Sequence, residues 1–218
     1  MGKRFDLLVF DWDGTLVDSA GHIVDSIQAA ARDIGLREPT VQDALHIIGL
    51  GLVDAMTYLF PELSREDYPR LAERYRFHYL AADHKVALFP GTHEAIQSWH
   101  ATGFNLAVAT GKSRQGLDRA LKTSGLTRYF HATRCADEGF AKPHPDMLLW
   151  LIDRLYVDPE RTVMIGDTTH DLQMARQAGV SAVAVAYGAH PRDQLESLSP
   201  LACVGSTAEL IQWLNENA

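Results

Sequence analysis

Leu7 to Phe10 is an unbroken apolar run that ends at Asp11, with Asp13-Gly14-Thr15 close behind it. A short apolar run closed by turn residues predicts a strand buried on both faces of a parallel sheet. The same signature recurs at Asn105–Thr110, more weakly at His131–Cys135, and again at Thr162–Asp167 and Ser181–Ala186. Between these runs the apolar positions change to helical spacing. Thr92, placed as a cap, opens a helix to Thr102, Ser113 caps one to Thr123, Pro145–Tyr156 is helical, a further helix ends at Gly179, and Thr207–Asn215 closes the chain. Strands alternating with helices of this length predict right-handed crossovers. The expected core is therefore an α/β, doubly wound (Rossmann-like) parallel sheet.

The stretch from Ala20 to Ala82 breaks that rhythm. Ile23, Ile27, Ala30, Ala31 and Ile34 recur at helical spacing before Gly35, and Thr40 caps a short segment through Ile48. Gly49-Leu50-Gly51 interrupts it, either as a loop reaching toward a ligand or as a plain helix break. Leu52–Phe60 forms a further helix ended by Pro61. Ser64 then caps a longer one, whose stripe is Tyr68, Leu71, Ala72, Tyr75, Tyr79 and Ala82. The expectation is an all-helical insertion at residues 18–84, within a core made of 1–17 and 85–218.

Composition narrows the function classes. The 218 residues are 46% hydrophobic and 22% charged, as in an ordinary globular protein, and the net charge is −8. That balance argues against nucleic acid, whose binding draws on clustered Lys and Arg, but leaves room for a small anionic ligand at a locally positive site. Cys135 and Cys203 are the two cysteines, which predicts neither a disulfide framework nor a zinc site and fits a reducing compartment. The basic start MGKR leads into a run too short for a signal peptide, and no stretch approaches the roughly 18 apolar residues of a membrane span. The expectation is a cytoplasmic protein without a membrane partner.

The candidate chemistry gathers at strand ends, where ligands bind in open α/β sheets. Asp11 and Asp13 would repel each other if left unpaired, and a hard cation such as Mg²⁺ removes that conflict while keeping positions for water and phosphate oxygen. Thr110 and Gly111 offer a hydroxyl and backbone N–H groups to an anion, and Lys142, beside two prolines, offers positive charge. Asp167 and Asp171 stand at a helix start, spaced to face the same way and to complete an oxygen-rich site with Asp11. His144 and His170 lie in the same segments, with surface or supporting roles expected.

With DWDGT at 11–15, Thr110, Lys142 in KPHPD and GDTTHD at 166–171, nearly the whole chain resembles the haloacid dehalogenase superfamily, in its phosphoglycolate-phosphatase-like branch. The resemblance implies Asp11 as a nucleophile that forms an aspartyl-phosphate. It implies Asp13 as general acid/base, with its main-chain carbonyl on the metal, and Thr110 with Lys142 on the phosphate. It further implies Asp167 as a metal ligand, Asp171 as a ligand or its support, Mg²⁺ as cofactor and the helical insertion as a cap domain.

The implied activity is hydrolysis of a small phosphate monoester, with 2-phosphoglycolate leading and pyrophosphate, nucleoside monophosphates and sugar phosphates open. Gly111 stands where many phosphoglycolate phosphatases carry Asn, and Trp12 is bulkier than the usual residue. Asp13 argues against a haloalkanoate dehalogenase. The absence of lysine between Asp18 and His84 argues against a phosphonoacetaldehyde hydrolase and against a sugar phosphomutase, for which His22 and His46 would otherwise be candidates. Among the cap arginines Arg32, Arg37, Arg65, Arg70, Arg74 and Arg76, one is a candidate for a substrate carboxylate, and most are expected on solvated faces. A receiver-like phospho-acceptor switch is the contrasting, non-enzymatic reading. The expected assembly is a monomer or homodimer.

Overall fold

The computed structural model describes residues 3–82 and 86–218, and the expected 84/85 boundary lies outside the described residues. Its centre is a six-stranded sheet in which every neighbouring pair runs parallel. The strands are β1 (Leu7–Phe10), β4 (Asn105–Thr110), β5 (Ala132–Cys135), β6 (Thr162–Gly166), β7 (Ser181–Val185) and β8 (Ala202–Val204), in the order β5-β4-β1-β6-β7-β8. The apolar run at Leu7 is thus an interior strand, paired with β4 on one side and β6 on the other, and all four of its residues are buried.

Alternation along the strands divides the core into two layers. Leu8, Phe10, Leu106, Val108, Val163 and Ile165 face helices α5 (Thr92–Ala101), α6 (Arg114–Ser124) and α10 (Thr207–Asn217), which contribute Ile96, Trp99, Leu117, Leu121, Leu210 and Leu214. Leu7, Val9, Ala107, Ala109 and Met164 face α7 (Asp146–Leu155) and α8 (Thr169–Gln177) through Met147, Leu148, Leu151, Met174 and Ala175. Successive strand side chains point to opposite faces, so a run that is apolar throughout needs helices on both sides.

The helical insertion comprises α1 (Ala20–Asp33), α2 (Val41–His46), α3 (Leu52–Leu59) and α4 (Tyr68–Ala81). It has a core of its own, built from Val24, Ile27, Ala30, Ala31, Ala44, Met56, Phe60, Tyr68, Leu71 and Ala72. The chain leaves and re-enters the sheet domain through a two-stranded antiparallel ribbon, β2 (Val17–Asp18) with β3 (Ala87–Leu88). Thr40 caps α2 by accepting from the Asp43 N–H, and Ser113 caps α6 by accepting from Gly116, as the sequence predicts.

Several expectations need correction. Gly91, not Thr92, occupies the N-cap of α5, and Thr92 is buried as its first residue. Ser64 caps a three-residue 3₁₀ turn, Arg65–Asp67, that runs directly into α4. The sheet has six strands rather than five, because Ala202–Val204 adds an edge strand after the short helix α9 (Arg192–Glu196). Three residues are too few for a periodic signal, and the pairing with β7 comes from the sheet edge already in place. The same holds for the two-residue strands of the ribbon. Among the described residues no helix is long and apolar enough to cross a membrane.

Candidate active site

Parallel pairing brings the predicted residues to one end of the sheet. Phe10 pairs with Val108 and with Ile165, so the residues just past them on β1, β4 and β6 emerge side by side. The Asp11 N–H donates to the Ile165 carbonyl at 2.9 Å, which fixes where its side chain starts. Oxygens of Asp11, Asp167 and Asp171 lie within 4.8 Å of one another, and all three residues are buried.

A single ammonium serves this group. Lys142 Nζ donates to Asp11 Oδ1 at 2.6 Å and lies 2.6 Å from Asp171 Oδ1, and its side chain is 0% exposed. Burial alone would drive the lysine toward its neutral form, but the two carboxylates outweigh that and hold its pKa above the usual value. One cation does not offset three carboxylates. Burial, with the like charges of Asp171 and Asp13, pushes Asp11 up to about 7 against the pull of Lys142. Burial also raises Asp167 well above the ordinary carboxylate range, aided by Asp11 and Asp171. Asp11 Oδ2 is buried without a hydrogen-bond partner among the described residues.

The donor set fits a divalent cation. Three hard carboxylate oxygen donors with two surplus negative charges match Mg²⁺-type chemistry better than the imidazole and thiolate ligands of softer metals, and the orphaned Asp11 oxygen is left for it. Asp167 is locked in place: its Oδ1 accepts from Thr15 Oγ1 and its Oδ2 from the Ala189 N–H, both at 2.8 Å. Gly14 makes this possible, because at φ +77° it turns toward Asp167 so closely that a Cβ would lie 2.1 Å from Oδ2. Asp171 does two jobs. Its Oδ2 accepts from the Thr168 N–H and hydroxyl in a capping box at the start of α8, while its Oδ1 faces Lys142.

Asp13 is held separately. Its Oδ1 accepts from Ser19 Oγ at 2.7 Å, and its Oδ2 lies 3.0 Å from Lys112 Nζ. Lys112 also donates to the Tyr79 hydroxyl of α4 at 3.1 Å, which ties the acid to the cap. Thr110 is buried at the end of β4, its hydroxyl accepting from the Lys112 N–H at 3.2 Å. Gly111 lies beneath the cap loop: a Cβ there would sit 2.5 Å from the Leu50 carbonyl oxygen and 2.7 Å from that of Gly49. The loop 49–51 therefore reaches the strand ends, and Gly111 is where it is received.

Lys112, Ser19 and Thr15 were not singled out by the sequence reading. Lys112 follows directly on the Thr110-Gly111 pair, but a lone lysine after a strand has no pattern that separates it from a solvated one.

A histidine cluster beside Asp171 joins the helical insertion to the sheet domain. His170 Nε2 and His190 Nε2 both bond to the His46 carbonyl at the end of α2, at 2.8 and 3.1 Å. His190 Nδ1 accepts from the Thr169 N–H at 3.0 Å, so the ring proton sits on Nε2 and both nitrogens are engaged. Burial pushes the His190 pKa down to about 4, with the neighbouring His170 adding to the shift. His144, by contrast, is exposed and accepts from the Asp146 N–H at the start of α7. Of the cap arginines, Arg32 pairs with Glu38 and Arg74 with Asp33, while Arg37, Arg65, Arg70 and Arg76 are exposed.

Comparison with known proteins agrees with this architecture. The chain is 36% identical over 213 residues to the probable phosphatase IndB of Dickeya dadantii, covering 94% of this chain and 91% of that one. It is 35% identical over 188 residues to a phosphoglycolate phosphatase of Agrobacterium fabrum, covering 84% and 81%. It is 30% identical over 217 residues to the pyrophosphatase PpaX of Halalkalibacterium halodurans, covering 99% of each. A solved hydrolase from Pseudomonas syringae has the same fold, with a TM-score of 0.89 at 23% identity over 97% of this chain and 98% of that one. The family model for haloacid dehalogenase-like hydrolases matches residues 8–185, and the chain belongs to that family.

Proposed function

We propose that the protein hydrolyses phosphate monoesters through a covalent Asp11 intermediate, with Mg²⁺ as its cofactor. The observation that carries this reading is the buried trio Asp11, Asp167 and Asp171 around Lys142, with Asp11 Oδ2 unpartnered. Asp11, the main-chain carbonyl of Asp13, Asp167 and Asp171 would hold the ion, with Asp171 acting as a ligand or, through Lys142 and Thr168, as its support. When bound, Mg²⁺ supplies charge neutralisation that lets a phosphate dianion approach a carboxylate.

The remaining steps fall to side chains. Lys142, with the Thr110 hydroxyl and backbone N–H groups around Gly111, receives the phosphoryl oxygens. Asp11 attacks phosphorus, the bond to the ester oxygen breaks, and Asp13 passes a proton to the departing alkoxide. Water then attacks phosphorus, gives its proton to Asp13, and the bond to Asp11 breaks to release inorganic phosphate. Ser19 and Lys112 aim Asp13 across the cleft, and loop 49–51 with the helical block serves as the cap, functionally residues 18–84 over a core of 1–17 and 85–218.

The relatives are named for phosphoglycolate, for pyrophosphate and for phosphatase activity at large, so 2-phosphoglycolate is the first compound to assay. The test is phosphate release with Mg²⁺ and with EDTA. Release that requires Mg²⁺ and Asp11 establishes the reaction. A long-lived adduct on Asp11 with no turnover would instead make the protein a phospho-acceptor switch.

A further inference from the structure

Asp13 forms part of the floor of a cleft of about 480 Å³ between cap and core. Its walls are apolar: Trp12, Ile23, Ile27, Ile48, Met56 and Tyr75 all line it. Five of these are buried, Trp12 and Met56 at 1% exposure, so the apolar faces are walls held by packing rather than side chains free to swing aside. A space of this size accommodates a drug-sized ligand, several times larger than glycolate. Because Asp13 and Gly111 line it, the cleft adjoins the proposed phosphoryl site.

We infer that the preferred substrate is a phosphate monoester of a bulky, ring-bearing and predominantly apolar alcohol, not of a small hydroxy acid. The inference rests on the phosphatase reading and names its substrate class. Electrostatics point the same way. Among the described residues, the cations lining the cleft are Arg76, Lys112 and Arg119. Lys112 is already matched to Asp13 at 3.0 Å and to the Tyr79 hydroxyl, and the two arginines are exposed. A glycolate carboxylate drawn down to the floor would exchange water for apolar walls without gaining a new counter-ion among the described residues, which disfavours it. An aromatic or alicyclic ring gains from the same walls, packing against the half-buried Tyr75 while its edge meets the arginines at the rim.

The esters 2-(1-naphthyl)ethyl phosphate, ethyl phosphate and 2-phosphoglycolate all depart as primary alkoxides, so differences in kcat/KM report the cleft. With Mg²⁺, the naphthylethyl ester should exceed both others by at least about tenfold. Equal or higher kcat/KM for 2-phosphoglycolate would overturn the inference and leave the phosphatase reading intact. Release from none of the three would sink the phosphatase reading. The inference is then decided by calorimetric titration of the naphthylethyl ester against inorganic phosphate, using Asp11→Asn protein. Tighter binding of the ester keeps the cleft's preference, and equal binding removes it. Met56→Trp narrows the cleft and should lower the naphthylethyl to ethyl ratio about tenfold. Ile27→Trp tests the same wall from α1 should Met56→Trp fail to fold, and an unchanged ratio in a folded variant would also overturn the inference.

Discussion

At the end of the sheet, Lys142 is buried among Asp11 and Asp171, and each oxygen of Asp167 has a named donor. Across the cleft, α1, the turn before loop 49–51 and α3 present Ile27, Ile48 and Met56. Polar groups in the first region have few alternatives, because a buried charge that loses its partner is costly, whereas apolar walls tolerate exchange among residues of similar volume. On the proposed phosphatase reading, the contrast assigns the chemistry to the sheet and the choice of leaving group to the helical insertion.

The sharpest way to break that division is at the nucleophile. Asp11→Asn should lower phosphate release by at least about 10⁴-fold while thermal unfolding stays cooperative. Residual turnover near wild type would remove the sheet's claim to the chemistry. Lys142→Met removes the cation that faces Asp11 and Asp171. It should cost about 10²- to 10³-fold in kcat/KM and about 3 kcal/mol of metal-free stability by urea unfolding.

The seam between the regions is next. Gly111→Ala sets a methyl group against the Leu50 and Gly49 carbonyls and should cost about 1–3 kcal/mol while pushing loop 49–51 off the strand ends. Its kcat/KM should fall about tenfold, and unchanged activity would show that the loop's position does not matter to turnover.

The metal-free protein should also betray the crowding of carboxylates. Burial raises Asp11 from 3.8 to about 7, so the folded protein keeps a proton that the unfolded chain loses across that interval. This contribution to stability is complete at the acid end and is lost as pH rises toward 7. The rise in Tm on adding Mg²⁺ should therefore be larger at pH 8 than at pH 5, and equal rises would show that Asp11 is not proton-crowded. The smallest effect belongs to the cap alone. Thr40→Ala removes the hydroxyl that accepts from Asp43 and should cost about 1 kcal/mol, with kcat unchanged.

How far this division could be read beforehand follows from the range of the interactions concerned. Asp11, Thr110, Lys142 and Asp167 were legible because each sits where an apolar run stops or inside a dense motif. In a parallel sheet every such stop falls on one edge, so local pattern dictates which residues can meet. The two core layers were legible for the same reason, since alternation along a buried strand assigns each side chain a face. Thr40 and Ser113 declared their caps locally as well.

The remainder depended on contacts between residues far apart in the chain. Strand β8 exists because β7 offers an edge, and the β2–β3 ribbon because the chain returns beside the point where it left. Nothing local distinguishes Lys112 from a solvated lysine until Asp13 and Tyr79 are brought to it. Gly111 reads as part of an anion loop until the Gly49 and Leu50 carbonyls are found directly above it. Ile23, Ile27 and Tyr75 were placed in helix stripes, but whether a stripe closes on its own core or faces a ligand is a property of how the helical insertion and the sheet dock. The sequence by itself determined which residues gather at the strand ends, because strand termination is local. Only the tertiary structure decided the shape that chemistry is offered to, because a cavity belongs to surfaces from distant segments and to none of them alone.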